Sequence, residues 1–187
     1  MNPDLAADGL VLFADLQAGI VERATTIDRA ALGRGVSAVA QLAKIFDLPV
    51  IVTTVPGQGG APAQIIPEIE AVLGPVQPLV RTGTDSLDNA AIRSAIEATG
   101  RKTIIICGVA TEVAVQRPSL SGVRAGYTVQ VVLDACGGIS ARSEQAALLR
   151  LAQAGVVLTS VASLAGELAA DFTQPKAQAA VAVLMNA

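Results

Sequence analysis

Short β-branched runs alternate with longer amphipathic segments along the chain. The short runs predict strands at residues 9–14, 49–54, 77–80, 103–107, 128–133 and 156–159. The segments between them predict helices at residues 28–46, 66–73, 88–99, 112–125, 143–154 and 160–170. Runs such as TIIIC and VQVVL are apolar at consecutive positions, which is typical of parallel strands covered on both faces. The alternation predicts one doubly wound α/β domain over residues 1–187, with helices on both faces of a mainly parallel six-stranded sheet, a Rossmann-like three-layer sandwich.

The C-terminal segment, residues 171–187, contains the apolar stretch AQAAVAVLM and is predicted to be helical from residue 175 onward. An apolar surface of this kind needs cover. We therefore expect the segment to form a contact between subunits of a homo-oligomer.

Composition narrows the possible chemistry. The chain has 187 residues, of which 52% are hydrophobic and 2% aromatic, and it contains no histidine and two cysteines. Without histidine, a Ser-His-Asp triad, a Cys-His pair and a histidine zinc site are excluded, and two thiols are too few for a four-cysteine zinc site. We expect no metal and no cofactor, and acid–base chemistry would fall to Asp, Glu, Tyr, Lys or Cys.

Charge and terminal sequence bear on partners and location. The net charge is −3 and the basic residues are scattered, so no nucleic-acid footprint is indicated. The N-terminal sequence MNPDLAADG has no basic start and no apolar run, and no stretch reaches the roughly 20 apolar residues of a membrane span. We expect a cytoplasmic protein that acts on a small molecule, without nucleic-acid or membrane partners.

Polar residues follow three of the predicted strands at their carboxyl ends. Asp15 follows the first strand, Arg81 the third, and the Gly-containing turn at residues 108–114 the fourth. A strand order of 3-2-1-4-5-6 would bring these three features to one edge of the sheet, where open α/β sheets bind ligands. Burial at a strand end raises the pKa of a carboxylate and suits it to proton transfer, although a loop-tying role for Asp15 is also open.

Three motifs resemble those of the isochorismatase-like hydrolases, over about residues 9–170. The turn of the cysteine-hydrolase branch reads G-V-x-T-x-x-C-V, and this chain matches it except that alanine occupies the cysteine position. The stretch ADLQAG resembles the D-x-Q motif, and RTGTDSLDN resembles the R-P-G-x-x-x-x-D-N version of the motif that usually carries lysine. The matching positions are Gly108, Val109, Thr111, Val115, Asp15, Gln17, Arg81, Gly83, Asp88 and Asn89, and the exception is Ala114.

The resemblance implies a role for each of these positions. Asp15 would be the acid/base, Arg81 would orient and stabilise charge without shuttling a proton, and position 114 would carry the nucleophile. The N–H groups of Ala110 and Ala114 would hold an oxyanion after a cis peptide bond between Val109 and Ala110. Contacts with substrate would come from Gln17, Asn89 and Thr111, although a helix-cap role for Asn89 is equally open.

Alanine at the nucleophile position leaves three hypotheses. The methyl group of Ala114 has no lone pair, Cys107 is expected to be buried and inert, and Cys136, expected in the loop after strand five, is not favoured as a replacement. The chain is either a hydrolase of amide or related C–N bonds that carries a Cys-to-Ala change, a nucleophile-free vinyl-ether hydrolase using Asp15 as general acid, or a catalytically silent binding or assembly protein. The first is favoured because every motif except one side chain is in place.

Overall fold

The computed structural model describes residues 4–60 and 63–185. Six strands form one sheet in the order β3-β2-β1-β4-β5-β6, and every neighbouring pair is parallel. The predicted fold class and strand order are therefore confirmed. The strands are β1 (Gly9–Ala14), β2 (Val50–Thr54), β3 (Leu79–Val80), β4 (Thr103–Val109), β5 (Thr128–Gly137) and β6 (Val157–Thr159).

The helices agree with the prediction except for the positions of some ends and for several short helical segments that were not predicted. They are α1 (Leu5–Asp8), α2 (Arg29–Ile45), α3 (Pro67–Leu73), α4 (Ala90–Ala98), α5 (Gln116–Arg124), α6 (Ala141–Gln153), α7 (Val161–Leu168) and α8 (Pro175–Leu184). The short pieces are 3₁₀ turns at Val21–Arg23, Gln58–Gly60 and Ser86–Asp88, and a π-helix at Thr111–Val115. Helix α2 begins after Asp28 because that carboxylate accepts the N–H groups of Ala30 and Ala31.

Small and branched aliphatic side chains fill the interior. Strands β1 and β4 are buried along their whole length, which accounts for their uninterrupted apolar runs. Each fully buried leucine or isoleucine there contributes about 1.5–3 kcal/mol of burial free energy. Helices α2 and α7 pack against β5 on one face and α5 packs against it on the other. Gly35 permits the close approach of α2, since a Cβ at that position would lie 2.0 Å from the Asp134 carbonyl oxygen.

Strand β5 is longer than predicted, and this changes the place of one cysteine. The pairing of β4 with β5 shifts register between Ile106 and Gly108 and then continues through Gly108–Cys136 and Val109–Gly137. The prediction ended the strand at residue 133, where the apolar run meets polar Asp134. The expectation that Cys136 lies in a loop is therefore wrong: it belongs to the strand and is buried.

The C-terminal helix finds cover within its own chain. Helix α8 packs against α2 and α7 through Ala177, Ala180 and Val183. Val181 and Met185 are exposed on its outer side, and residues 186–187 of the predicted tail lie outside the described residues. The expected contact with a neighbouring subunit stays a prediction. Within residues 4–60 and 63–185, no helix is long and apolar enough to cross a membrane.

Candidate active site

Three predicted features meet in one cavity at the carboxyl edge of the sheet. Asp15 follows β1, Arg81 follows β3, and Ala114 lies in the π-helix after β4. All three line a cavity of about 380 Å³. The convergence expected from the strand order is therefore present, and the cavity has the volume of a small-molecule site.

Asp15 and Arg81 form a buried ion pair whose backbone positions are fixed by the sheet. The Arg81 Nε donates to Asp15 Oδ1 at 3.2 Å, its Nη2 donates to Asp15 Oδ2, and its Nη1 donates to the Gly83 carbonyl oxygen. The Asp15 N–H donates to Thr53 and the Arg81 N–H to Thr54, continuing the pairing of β2 with its neighbours. The two residues are 3% and 5% exposed, so the bidentate pair is shielded from water.

The protonation of Asp15 reflects two opposing influences. Burial raises the pKa of Asp15 above its ordinary value, while the positive charge and the hydrogen bonds of Arg81, with a weaker one from Thr53, act to lower it. Because burial is the larger influence, the carboxylate takes up a proton more readily than an exposed aspartate does. Asp15 also has a left-handed backbone conformation (φ 54°), which aspartate tolerates better than most residues.

The turn after β4 brings position 114 to the cavity. Gly108 lies so close to β1 that a Cβ there would be 2.1 Å from the Ala14 carbonyl oxygen, so a larger residue does not fit. The Val109–Ala110 peptide bond is cis, as the family resemblance implied. Ala114 is 2% exposed, and its N–H donates to the Ala110 carbonyl oxygen at 2.9 Å. An oxyanion bound to the Ala114 N–H would have to share this hydrogen.

The three residues predicted to contact substrate have partners within the protein. The Gln17 amide exchanges two hydrogen bonds with the backbone of Val55, at 3.0 and 2.8 Å. Asn89 caps α4, so the alternative role considered for it is the one observed, and its Nδ2 donates to the Val80 carbonyl oxygen. The Thr111 hydroxyl donates to Glu144 at 2.7 Å. These contacts position the loops around the cavity, and direct contact with substrate stays a prediction.

A second polar cluster holds the turn against the loop after β5. Glu112 accepts the Ile139 N–H at 2.9 Å and the Ser143 hydroxyl, and both Val113 and Ile139 line the cavity. Although burial acts to raise the pKa of Glu112, the hydrogen bonds from Ser143 and from backbone N–H groups hold it below the ordinary value. The ionised carboxylate therefore ties one wall of the cavity to the turn that carries position 114.

The two cysteines are unsuited to replace a missing nucleophile. Cys107 and Cys136 are both free and buried. Burial raises the pKa of Cys136 to about 12 and raises that of Cys107 well above its ordinary value. Both thiols stay protonated at neutral pH, which makes them poor nucleophiles. In the described part of the chain, no group of three His, Cys, Asp or Glu side chains is placed to hold a metal ion.

One charged residue of the cavity was missed by the sequence analysis. Arg23 lines the cavity from the 3₁₀ turn Val21–Arg23, and its Nε donates to the Gly19 carbonyl oxygen at 3.2 Å. The sequence signal was weak, because Gly19 marks a turn but nothing in GIVER shows which way the turn points. The residue lies eight positions beyond Asp15 and belongs to no strand end.

Comparison with known proteins identifies the family of the chain. The profile of the Isochorismatase domain matches residues 9–163. The chain belongs to the isochorismatase family. Among family relatives, the probable hydrolase YcaC of Escherichia coli is 37% identical over 166 residues, which is 88% of this chain and 79% of the relative.

Two solved structures of isochorismatase-family relatives superpose closely. YcaC from Pseudomonas aeruginosa, crystallised with hexane-2,5-diol and covalent acrylamide, has a TM-score of 0.88 at 33% identity, with 96% of this chain and 88% of that chain covered. The Escherichia coli YcaC gene product, described as an octameric hydrolase of unknown specificity, has a TM-score of 0.88 at 34% identity, with 97% and 88% covered. The family, the fold and a relationship to hydrolases are thereby established.

Proposed function

We propose that this isochorismatase-family site is built to hydrolyse a small amide or related C–N bond, with the nucleophile at position 114. The observation that carries the proposal is the convergence of Asp15, Arg81 and Ala114 on one cavity. In this chain the methyl group of Ala114 stands where a thiol would be. The site of this chain therefore keeps Asp15 and its countercharge but lacks the attacking atom.

With a thiol at position 114, each step has a residue to perform it. Asp15 takes the thiol proton, and the thiolate attacks the substrate carbonyl to form a tetrahedral oxyanion near the N–H groups of Ala110 and Ala114. The C–N bond breaks as Asp15 returns the proton to the leaving nitrogen. Water then attacks the thioester, Asp15 takes one of its protons, and the acid product leaves as the thiol is reprotonated. Arg81 orients Asp15 and stabilises its ionised form, because a guanidinium keeps its proton throughout.

A relative in which a nucleophile has reacted with an electrophile supports the proposal. The YcaC of Pseudomonas aeruginosa carries covalent acrylamide, and it is 33% identical to this chain, 96% of which is covered. Acrylamide is an electrophile that thiolates add to without a leaving group. A thiol restored at position 114 is expected to react in the same way.

The test compares the unchanged chain, Ala114→Cys and Ala114→Ser. We expect Ala114→Cys alone to gain the mass of one acrylamide in the native state and to hydrolyse members of a panel of small amides and carbamates. The double variant Asp15→Asn/Ala114→Cys is the matched control, since it keeps the thiol and removes the base. If Ala114→Cys neither adds acrylamide nor cleaves any member of the panel, the proposal is wrong.

A vinyl-ether hydrolase is the second candidate, and one observation favours it. Asp15 has a pKa raised by burial, as a proton donor requires, and protonation of a vinyl ether needs no nucleophile at position 114. In that case the unchanged chain would cleave isochorismate, and Asp15→Asn would abolish the reaction. The open cavity counts against a catalytically silent protein, in which we would expect the space beside Asp15 to be filled.

We also propose that the protein is a homo-oligomer. The related Escherichia coli YcaC is described as octameric, and it is 34% identical over 97% of this chain. Exposed apolar side chains on the C-terminal part of the chain, Phe172 and Met185, would be covered by such contacts. Native mass spectrometry tests this, and a monomer at micromolar concentration would contradict it.

A further inference from the structure

The charges that line the cavity do not balance. Among the described residues, three ionisable side chains line it, namely Asp15, Arg23 and Arg81, and most of the remaining lining is apolar. Asp15 and Arg81 neutralise one another through their buried pair. Arg23 therefore leaves the lining of the cavity with one net positive charge.

Arg81 has little capacity left to bind an anionic substrate. Three of its N–H groups already donate, two to the Asp15 carboxylate and one to the Gly83 carbonyl oxygen. Arginine has five such hydrogens in a fixed planar arrangement. A substrate carboxylate that displaced Asp15 from this guanidinium would leave a buried carboxylate without its countercharge, which is unfavourable.

Arg23 is differently placed. Its Nε donates to the Gly19 carbonyl oxygen at 3.2 Å, and among the described residues its terminal Nη groups donate to no protein acceptor. Within residues 4–60 and 63–185, Arg23 forms no ion pair with a carboxylate. The neighbouring Glu22 instead accepts the Gly19 N–H, which helps to hold the turn that carries Arg23. A fixed Nε and free Nη groups suit a guanidinium to receive a carboxylate at the cavity rim.

We propose that Arg23 is a specificity-determining residue that selects substrates bearing a carboxylate at the end remote from the scissile C–N bond. The substrate class is a short amide of a dicarboxylic acid, in which one end is the amide and the other a free carboxylate. The cavity of about 380 Å³ is at the small end of ligand sites, so short joining chains are the ones to test. This inference deepens the proposed function and rests on it only for which bond is cleaved.

Binding to the unchanged chain tests the inference without catalysis, since Ala114 cannot attack. Isothermal titration calorimetry would compare oxamate, malonamate, succinamate and glutaramate with the neutral diamides of the same lengths. We expect at least one monoacid to bind about ten- to a hundredfold more tightly than its diamide, from one charge-assisted contact. The preference should weaken at high salt because the rim is exposed to solvent.

Variants of Arg23 test whether this residue causes the preference for monoacids. Arg23→Gln should remove the preference for the monoacid and leave diamide binding unchanged, whereas Arg23→Lys should keep part of it. Arg34→Gln is the matched control, an exposed arginine on α2 that does not line the cavity. The inference is overturned if monoacids bind no more tightly than diamides, if no monoacid binds, or if Arg23→Gln behaves like Arg34→Gln.

Kinetics of Ala114→Cys separates this inference from the proposed function. If Ala114→Cys cleaves diamides and monoacids equally well, the proposed function stands and the role of Arg23 is refuted. If it cleaves neither while the unchanged chain still binds monoacids through Arg23, the proposed function fails and the inference stands. Loss of kcat/KM for monoacids alone in Arg23→Gln/Ala114→Cys would support both.

Discussion

Replacing Arg81 by methionine removes the countercharge of Asp15 while keeping most of the apolar stem of the side chain. The side chains of the pair are 6% and 4% exposed, so water cannot take over from the lost guanidinium. Breaking a buried pair from one side costs about 3–5 kcal/mol of unfolding free energy. Asp15 can instead take up a proton, which at pH 7, starting from an ordinary pKa of 3.8, limits the cost to about 4 kcal/mol.

The loss of unfolding free energy in Arg81→Met should increase with pH. Burial already raises the pKa of Asp15 in the folded protein above the ordinary value of 3.8. Between these two pKa values the folded protein binds more protons than the unfolded chain, so it loses stability as the pH rises from one to the other. Without Arg81 the pKa of folded Asp15 rises further, so this loss of stability continues to a higher pH. We therefore expect Arg81→Met to cost about 3–4 kcal/mol at pH 7 and only about 1–2 kcal/mol at pH 5.

Urea unfolding at the two pH values measures both losses, provided that the m-values agree. Arg29→Met is the matched control, because the Arg29–Glu68 pair is 39% and 27% exposed and should contribute at most about 1 kcal/mol. Asp15→Asn/Arg81→Met should recover most of the loss, since a neutral amide needs no countercharge. A loss at pH 7 no larger than that of Arg29→Met, or one that does not change with pH, would show that Asp15 is not ionised in the fold.

Three further predictions concern the surroundings of the cavity. Cys107 and Cys136 should resist iodoacetamide in the native protein at pH 7.5 and react in urea, because burial keeps both thiols protonated; labelling of the native chain would contradict the structure. Gly108→Ala should cost about 3 kcal/mol or more in urea unfolding, since its Cβ would meet a backbone oxygen at 2.1 Å, whereas Gly166→Ala in exposed helix should gain up to about 1 kcal/mol. Glu112→Gln should lose about 1 kcal/mol above pH 4.5, discounted for partial exposure, and the difference should vanish as pH falls through the lowered pKa of Glu112; an equal loss at pH 3 would exclude ionised Glu112 as the cause.

Much of the fold could be read from hydrophobic periodicity alone. The consecutive apolar residues of β1 and β4 reflect burial on both faces, and their place at the centre of the sheet follows from the right-handed connections of a doubly wound fold. That order is what allowed Asp15, Arg81 and the turn before Ala114 to be expected in one place. The site was thus predictable because it lies on strand ends, whose relative positions the topology fixes.

The features of the fold and site that were not predicted depend on tertiary contacts, which hydrophobic periodicity does not encode. Cys136 was misplaced because β5 resumes its pairing after a register shift, past a polar residue that ends the apolar run. Arg23 was missed because a short 3₁₀ turn carries it back toward the sheet edge, and the direction of such a turn depends on its packing. The bonds of Gln17 and Thr111 also depend on which loops meet across the cavity.

The strands at the two edges of the sheet are unusually short. Strand β3 contains two residues, Leu79 and Val80, and β6 contains three. An incoming strand would find too few open backbone donors and acceptors on either side to form a stable ladder. Extension of the sheet from one molecule into the next, and the aggregation that begins that way, is thereby discouraged. Any association between copies of this chain would therefore use side chains on their helices and loops, where contacts can be selective.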